Sequence, residues 1–136
     1  MHSAIRIQTG LAEQLLAHAR RDTNQECCGV LAGRGGIITQ ALEATNVASH
    51  PSREYEIAPE EIFRLMREIR AAGLELLGIY HSHPAGENKP SPRDIDRAYY
   101  PSTAYFILSP RADGPQAIRA FSIQNGRASE LEIQEV

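Results

Sequence analysis

An apolar stretch from Leu74 that ends in His81-Ser82-His83-Pro84 constrains the folding of this chain more than any other segment. On an extended backbone alternate side chains share a face, so His81 and His83 project together about 6.6 Å apart along the chain. Pro84 has no N–H for a ladder and stops the strand. Both imidazoles therefore sit at a strand end, where open α/β sheets carry their sites. Seven residues further on comes Ser91-Pro92-Arg93-Asp94, with Ser at an N-cap, Pro at the first helical position and an acid at N3. That is a capping-box pattern, although Asp is shorter than the preferred Glu or Gln. The two segments predict a strand–loop–helix unit that folds back on itself.

The rest of the chain supplies more strands and two further helices. Ile5 and Ile7 alternate with polar residues in a short strand that ends at Gly10. Residues 11–20 suit a helix with Leu11, Leu15, Leu16 and Ala19 on one face. Cys27 to Ala32 is an apolar run of strand length. Gly33 to Gly36 reads as a turn, and the next strand covers Ile37 to about Ala44. A polar loop over 45–54 precedes Tyr55-Glu56-Ile57, a candidate short edge strand. The second helix starts with Pro59 at its first position and Glu60 and Glu61 near its positive end. Ile62, Leu65, Met66 and Ile69 form its apolar stripe, and Gly73 stops it. After the strand Leu74–His83 and the loop Pro84–Pro90, a third helix runs from Ser91 to about Tyr99. Tyr105 to Leu108 is apolar throughout, as expected of a strand covered on both faces. Ile118–Ile123 and Ser129–Ile133 flank Asn125-Gly126, a hairpin signal. Strands interspersed with three helices argue for a mixed α/β sandwich.

Composition narrows the function classes. A chain of 136 residues fits one domain, residues 1–136, with 42% hydrophobic and 23% charged residues. A formal charge of −3 offers no basic stripe for nucleic acid. Arg64, Arg67 and Arg70 fall on the solvated side of the second helix. No apolar run approaches the roughly 20 residues that span a bilayer, and Met1-His2-Ser3-Ala4-Ile5-Arg6 lacks the pattern of a signal peptide. Cys27 and Cys28 are adjacent and unsuited to a structural disulfide, so a reducing, cytoplasmic setting is expected.

His81, His83 and Asp94 together supply three nitrogen and oxygen donors. Catalytic zinc typically takes three protein ligands and keeps a fourth position for water, whereas a structural zinc is more often closed by cysteines. Taken alone, Ser91 to Asp94 is a helix cap and His-x-His an exposed strand end; the conjunction favours a metal. Glu26, in Gln25-Glu26-Cys27-Cys28-Gly29, offers a carboxylate just ahead of an apolar strand. It suits the acceptor that takes a proton from water and passes it to a leaving amine. As a pattern by itself it is a surface glutamate in a loop.

Glu26, His81-Ser82-His83-Pro84 and Ser91-x-x-Asp94 resemble the JAMM signature of the MPN+ metalloproteases. Gln25 to Gly33, Tyr55-Glu56-Ile57 and Gly78-Ile79-Tyr80 resemble its bacterial and archaeal members, over about residues 3 to 110. The resemblance implies an α/β fold with a mixed β-sheet flanked by helices, three-layered and similar to the cytidine-deaminase architecture. It implies one Zn²⁺ ion with a bound water, held by His81, His83 and Asp94. Glu26 would act as general base and then acid, and Ser91 would hydrogen-bond the oxyanion or the water. The partner would be a ubiquitin-like or sulfur-carrier protein with a Gly-Gly tail, cut after its last glycine. The tail could add to an exposed strand edge. With only Tyr99-Tyr100-Pro101-Ser102 between the third helix and the next strand, the chain matches a compact prokaryotic type.

Two alternatives stay open on the sequence: a non-cleaving module that binds a ubiquitin-like partner, and a zinc hydrolase of a small peptide. A nucleoside deaminase would need a Pro-Cys-x-x-Cys ligand pair that does not occur here. Cys27 and Cys28 are expected to be small apolar residues. His18 is expected to be exposed on its helix, His50 to sit in a loop without partners, and Asp96 to be solvated. Asn46 suits either a turn or a brace for the loop beside the site.

Overall fold

A computed structural model describes residues 4–136; the expectation for the start of the chain at Met1 to Ser3 lies outside the described residues. Seven strands form, in chain order β1 Ala4–Ile7, β2 Cys28–Arg34, β3 Ile37–Ala44, β4 Glu75–Ser82, β5 Ala104–Leu108, β6 Ile118–Gln124 and β7 Arg127–Glu135. Three helices join them: α1 Leu11–Arg21, α2 Pro59–Ala71 and α3 Pro92–Asp96. The strands are arranged β1-β3-β2-β4-β5-β6-β7 and close on themselves, because β1 runs parallel to both β3 and β7. Beyond Ile38 the outer edge of β3 has no strand partner among the described residues.

Alternation along the strands sorts the core into two clusters, one on each face of the sheet. Leu31, Tyr80, Phe106 and Ala120 pack with Leu11, Leu15 and Ala19 of α1. Val30, Ile79, Tyr105 and Phe121 pack with Leu65 and Ile69 of α2. The layers are thus helix, sheet, helix, as the sequence suggests. Full burial of an aliphatic side chain such as Leu15 or Leu65 stabilises the fold by roughly 2 kcal/mol. Val30 and Ala32 of β2 and Ile79 of β4 pack on the α2 side, and alternation onward from Ile79 puts His81 and His83 on that side. No helix among the described residues is long and apolar enough to cross a membrane.

The turns follow their dipeptides. Gly35 and Gly36 have φ of 62° and 77°, and Asn125 and Gly126 have 53° and 75°, as a two-residue hairpin demands. Gly29 is required for a different reason: a Cβ there would lie 2.5 Å from both the Leu42 carbonyl oxygen and the Tyr80 hydroxyl. No side chain fits between them.

Two elements differ from expectation. Tyr55-Glu56-Ile57 forms no strand. The Glu56 N–H donates to the Asn46 side chain at 3.1 Å, while its carbonyl accepts from Val47 N at 2.8 Å. A side chain has replaced the neighbouring strand on one side, so no ladder forms. The third helix ends at Asp96 rather than near Tyr99. Pro101 disfavours helical backbone at Tyr100, whose N–H donates instead to the Tyr105 hydroxyl at 3.0 Å.

Candidate metal centre

The site forms where β4 ends beside its parallel neighbour β5. His83 N–H continues the ladder to the Leu108 carbonyl at 2.9 Å. On its other side β4 pairs antiparallel with β2, Cys28 opposite His81. Extending that register one pair outward places Cys27 opposite Ser82, and the Ser82 N–H does donate to the Cys27 carbonyl at 3.1 Å. One step further sets Glu26 opposite His83. Strand register therefore delivers the glutamate to the histidines, on the same face of the sheet.

A second carboxylate, that of Asp94, arrives by a helix cap. Ser91 Oγ accepts from Asp94 N at 3.0 Å, and Asp94 Oδ2 accepts from Ser91 N at 2.9 Å, completing the capping box. The same Oδ2 lies 3.0 Å from His83 Nε2 and 3.2 Å from His81 Nε2, and the two Nε2 atoms are 3.0 Å apart. Capping thus turns Asp94 Oδ2 toward both imidazoles. His81 and His83 are almost fully buried, and Glu26 is only 5% exposed.

Electrostatics follow from that burial. Burial pushes the Glu26 carboxyl up to about 7, with Asp94 and Glu54 adding to the rise and the His83 and Arg93 charges opposing it. Burial also lowers His81. At His83 burial acts downward, but the hydrogen bonds to Asp94 and to the Glu87 carbonyl raise it overall. Asp94 is held well below the carboxylate range by its two histidine partners, against the effect of burial.

The donor set fits a zinc ion. Zinc–nitrogen and zinc–oxygen bonds of about 2.0–2.1 Å in a tetrahedron set neighbouring donors about 3.3 Å apart. The observed triangle has edges of 3.0 to 3.2 Å. A carbonyl can only accept, so His83 Nδ1 donates to Glu87 O at 2.6 Å, and Nε2 is the nitrogen that would offer a lone pair to a metal once it gives up its proton. Glu26 Oε1 is buried without a hydrogen-bond partner among the described residues. Donor atoms of Glu26, His81 and His83 lie within 4.8 Å of one another, a looser set than the Asp94 triangle.

Several contributors were not evident from the sequence. Tyr55 stacks on His81 with ring centroids 4.4 Å apart and planes 20° from parallel, forming one wall. The Glu87 carbonyl is invisible to any side-chain motif. Asn46 proves to be the brace: its amide donates to the Glu26 carbonyl at 2.9 Å and the Glu54 carbonyl at 3.0 Å. His18 is not exposed; its side chain is 14% accessible and Nδ1 lies 2.8 Å from the Tyr80 hydroxyl. Cys28 is fully buried, and burial pushes Cys27 up to about 11 and Cys28 to about 12, which disfavours the reactive thiolate at both. His50 and Asp96 are exposed, as expected.

Residues 8–124 match the family of prokaryotic homologs of the JAB domain, and the chain belongs to that family, the JAMM-type metallopeptidases. It is 38% identical over 114 residues to the desampylase of Haloferax volcanii, covering 79% of this chain and 82% of that protein. It is 33% identical over 132 residues to the CysO-cysteine peptidase of Mycobacterium tuberculosis, covering 96% and 90%. A protein from Desulfitobacterium hafniense, solved in solution, shares the fold with a TM-score of 0.84 at 30% identity, over 97% of this chain and 92% of that one.

Proposed function

We propose that this chain acts as one unit, residues 1–136, to hydrolyse the amide or isopeptide bond after the C-terminal glycines of a ubiquitin-like or sulfur-carrier protein. The observation that carries this reading is the 3.0 to 3.2 Å triangle of His81, His83 and Asp94 beside the buried, unpartnered Glu26 carboxylate. His81, His83 and Asp94 would hold one Zn²⁺, which would polarise a carbonyl and lower the pKa of water to about 7. Glu26 takes the proton of the attacking water. Its raised affinity for a proton suits a group that must accept one at neutral pH and release it moments later. Ser91 Oγ already accepts from Asp94 N, which leaves its own hydroxyl proton to donate to the developing oxyanion. As the carbon–nitrogen bond breaks, Glu26 delivers its proton to the departing amine. The substrate class is supported by the desampylase and the CysO-cysteine peptidase among the relatives.

Intact-mass measurement tests this directly. Zinc-loaded protein should trim a sulfur carrier extended beyond its Gly-Gly tail back to the last glycine. Glu26→Gln should retain zinc by elemental analysis and lose about 100-fold or more in turnover. Full activity in that variant rejects Glu26 as the base. His81→Ala should lower the zinc content, and unchanged stoichiometry removes His81 from the ligand set.

A further inference from the structure

We propose that the cavity beside Glu26 receives the leaving group, and that Arg53 selects amines that carry a carboxylate. The proposal rests on the hydrolytic reading above and names the substrate class of the same site.

Several cavities lie around the donor triangle. One, of about 420 Å³, is apolar and includes Tyr55, Phe63 and Tyr99, but not Glu26. A second, of about 440 Å³, is lined by Glu26, His83 and Ser91 together with Ser52, Arg53 and Lys89. A third, of about 250 Å³, has Glu26 but none of the triangle's residues in its lining. A group that protonates a departing nitrogen must be within hydrogen-bond reach of it. The amine therefore occupies the 440 Å³ cavity, which Glu26 shares with His83 and Ser91 and whose volume lies in the range small ligands fill.

The charges of that cavity point to an anionic partner. Most cations near it are already engaged. Arg93 pairs with Glu54 at 3.2 Å, Lys89 leans on Glu87 at 3.6 Å, and Arg111 donates to the Pro84 carbonyl at 2.8 Å. Arg53 is exposed, and no carboxylate pairs with it among the described residues. Its backbone is nonetheless held in place. Arg53 N–H donates to the His50 carbonyl at 3.0 Å, and the Pro51 carbonyl in the same turn accepts from Glu26 N–H at 2.7 Å. The root of this guanidinium is thereby tied to the backbone of the base itself.

A guanidinium reads a carboxylate through two parallel N–H···O bonds. A free α-amino acid joined to the tail through its nitrogen places such a carboxylate one carbon from the scissile nitrogen. A lysine ε-amine on a protein surface does not. Hydrolysis then places the water oxygen on the acyl carbon and breaks the carbon–nitrogen bond. The tail leaves as a carboxylate, and the amino acid leaves with the proton that Glu26 carried.

The test uses a ubiquitin-like sulfur carrier whose Gly-Gly tail is extended by one amino acid, either as the free acid or as its C-terminal amide. Zinc-loaded protein should cleave the acid with a kcat/KM about 10-fold or more above that of the amide. Arg53→Ala should remove that preference by slowing the acid alone, and Arg53→Lys should restore part of it. Equal cleavage of acid and amide by the unaltered protein overturns the proposal, as does an equal loss on both in Arg53→Ala. Cleavage of neither form by the unaltered protein overturns the hydrolytic reading, and this proposal with it.

Discussion

Replacing Asn46 with alanine would release the loop that steadies Glu26. The Asn46 amide group donates to the Glu26 and Glu54 carbonyls at 2.9 and 3.0 Å, with a weaker 3.4 Å approach to the Pro51 carbonyl. Its oxygen accepts from Ala48 N at 3.0 Å and Glu56 N at 3.1 Å. An NH₂ group has two protons, so four bonds are substantial and the fifth is marginal. Glu26 is 5% exposed, and leaving a carbonyl there unsatisfied costs about 1–3 kcal/mol. The partners nearer the surface can turn to water, at roughly 0.5 kcal/mol each. The sum is about 3 kcal/mol. An unfolding entropy of about 2.1 cal/mol/K per residue converts it, for 136 residues, into a fall in Tm of about 10 °C. Thermal unfolding followed by circular dichroism measures this. Zinc content should survive, because the donors of the triangle come from β4 and α3, while turnover falls with the loosened Glu26. A melting point within 2 °C of the parent, or loss of zinc alongside activity, would refute the reasoning.

Other perturbations probe different parts of the structure. In zinc-free protein the Glu26 carboxyl is pushed up to about 7 from an ordinary 4.5, so the folded state binds the extra proton between those values. The associated stability is present below pH 4.5 and is lost as pH rises through 7. Glu26→Gln lacks this dependence and should gain roughly 2–3 kcal/mol on the parent between pH 5 and pH 8; an equal melting difference at both pH values contradicts the assignment. Asn88 accepts from Arg119 at 3.2 Å and donates to the Gln116 carbonyl, anchoring the loop whose Glu87 carbonyl orients His83. Asn88→Ala should weaken zinc binding about 10-fold in chelator competition, and unchanged affinity removes the anchor from the account. Gly29→Ala should destabilise by about 2 kcal/mol in a urea titration, since the added methyl meets a backbone carbonyl and the buried Tyr80 ring. A midpoint equal to the parent's would show that β2 shifts freely.

Features governed by a few neighbouring residues were legible in the chain. The turn at Asn125-Gly126, the α2 stripe and the Ser91–Asp94 capping box each depend on local backbone preferences. His18 was misjudged because helix periodicity gives a face without saying what lies opposite; the partner, Tyr80, is 62 residues away. Tyr55 was misjudged because its neighbours suit an extended backbone, whereas Asn46 supplies a side-chain partner where a strand would have been.

The sequence by itself determined the donor types, their alternation on β4 and the cap that carries Asp94, since these rest on chirality, rotamers and hydrogen bonds between near neighbours. Only the tertiary structure decided that β1 would close the sheet by pairing with both β3 and β7, and that the β2–β4 register would set Glu26 opposite His83. Strand register is chosen by burial of both faces at once. A one-residue slip would have turned the glutamate away from the imidazoles without altering a single local signal.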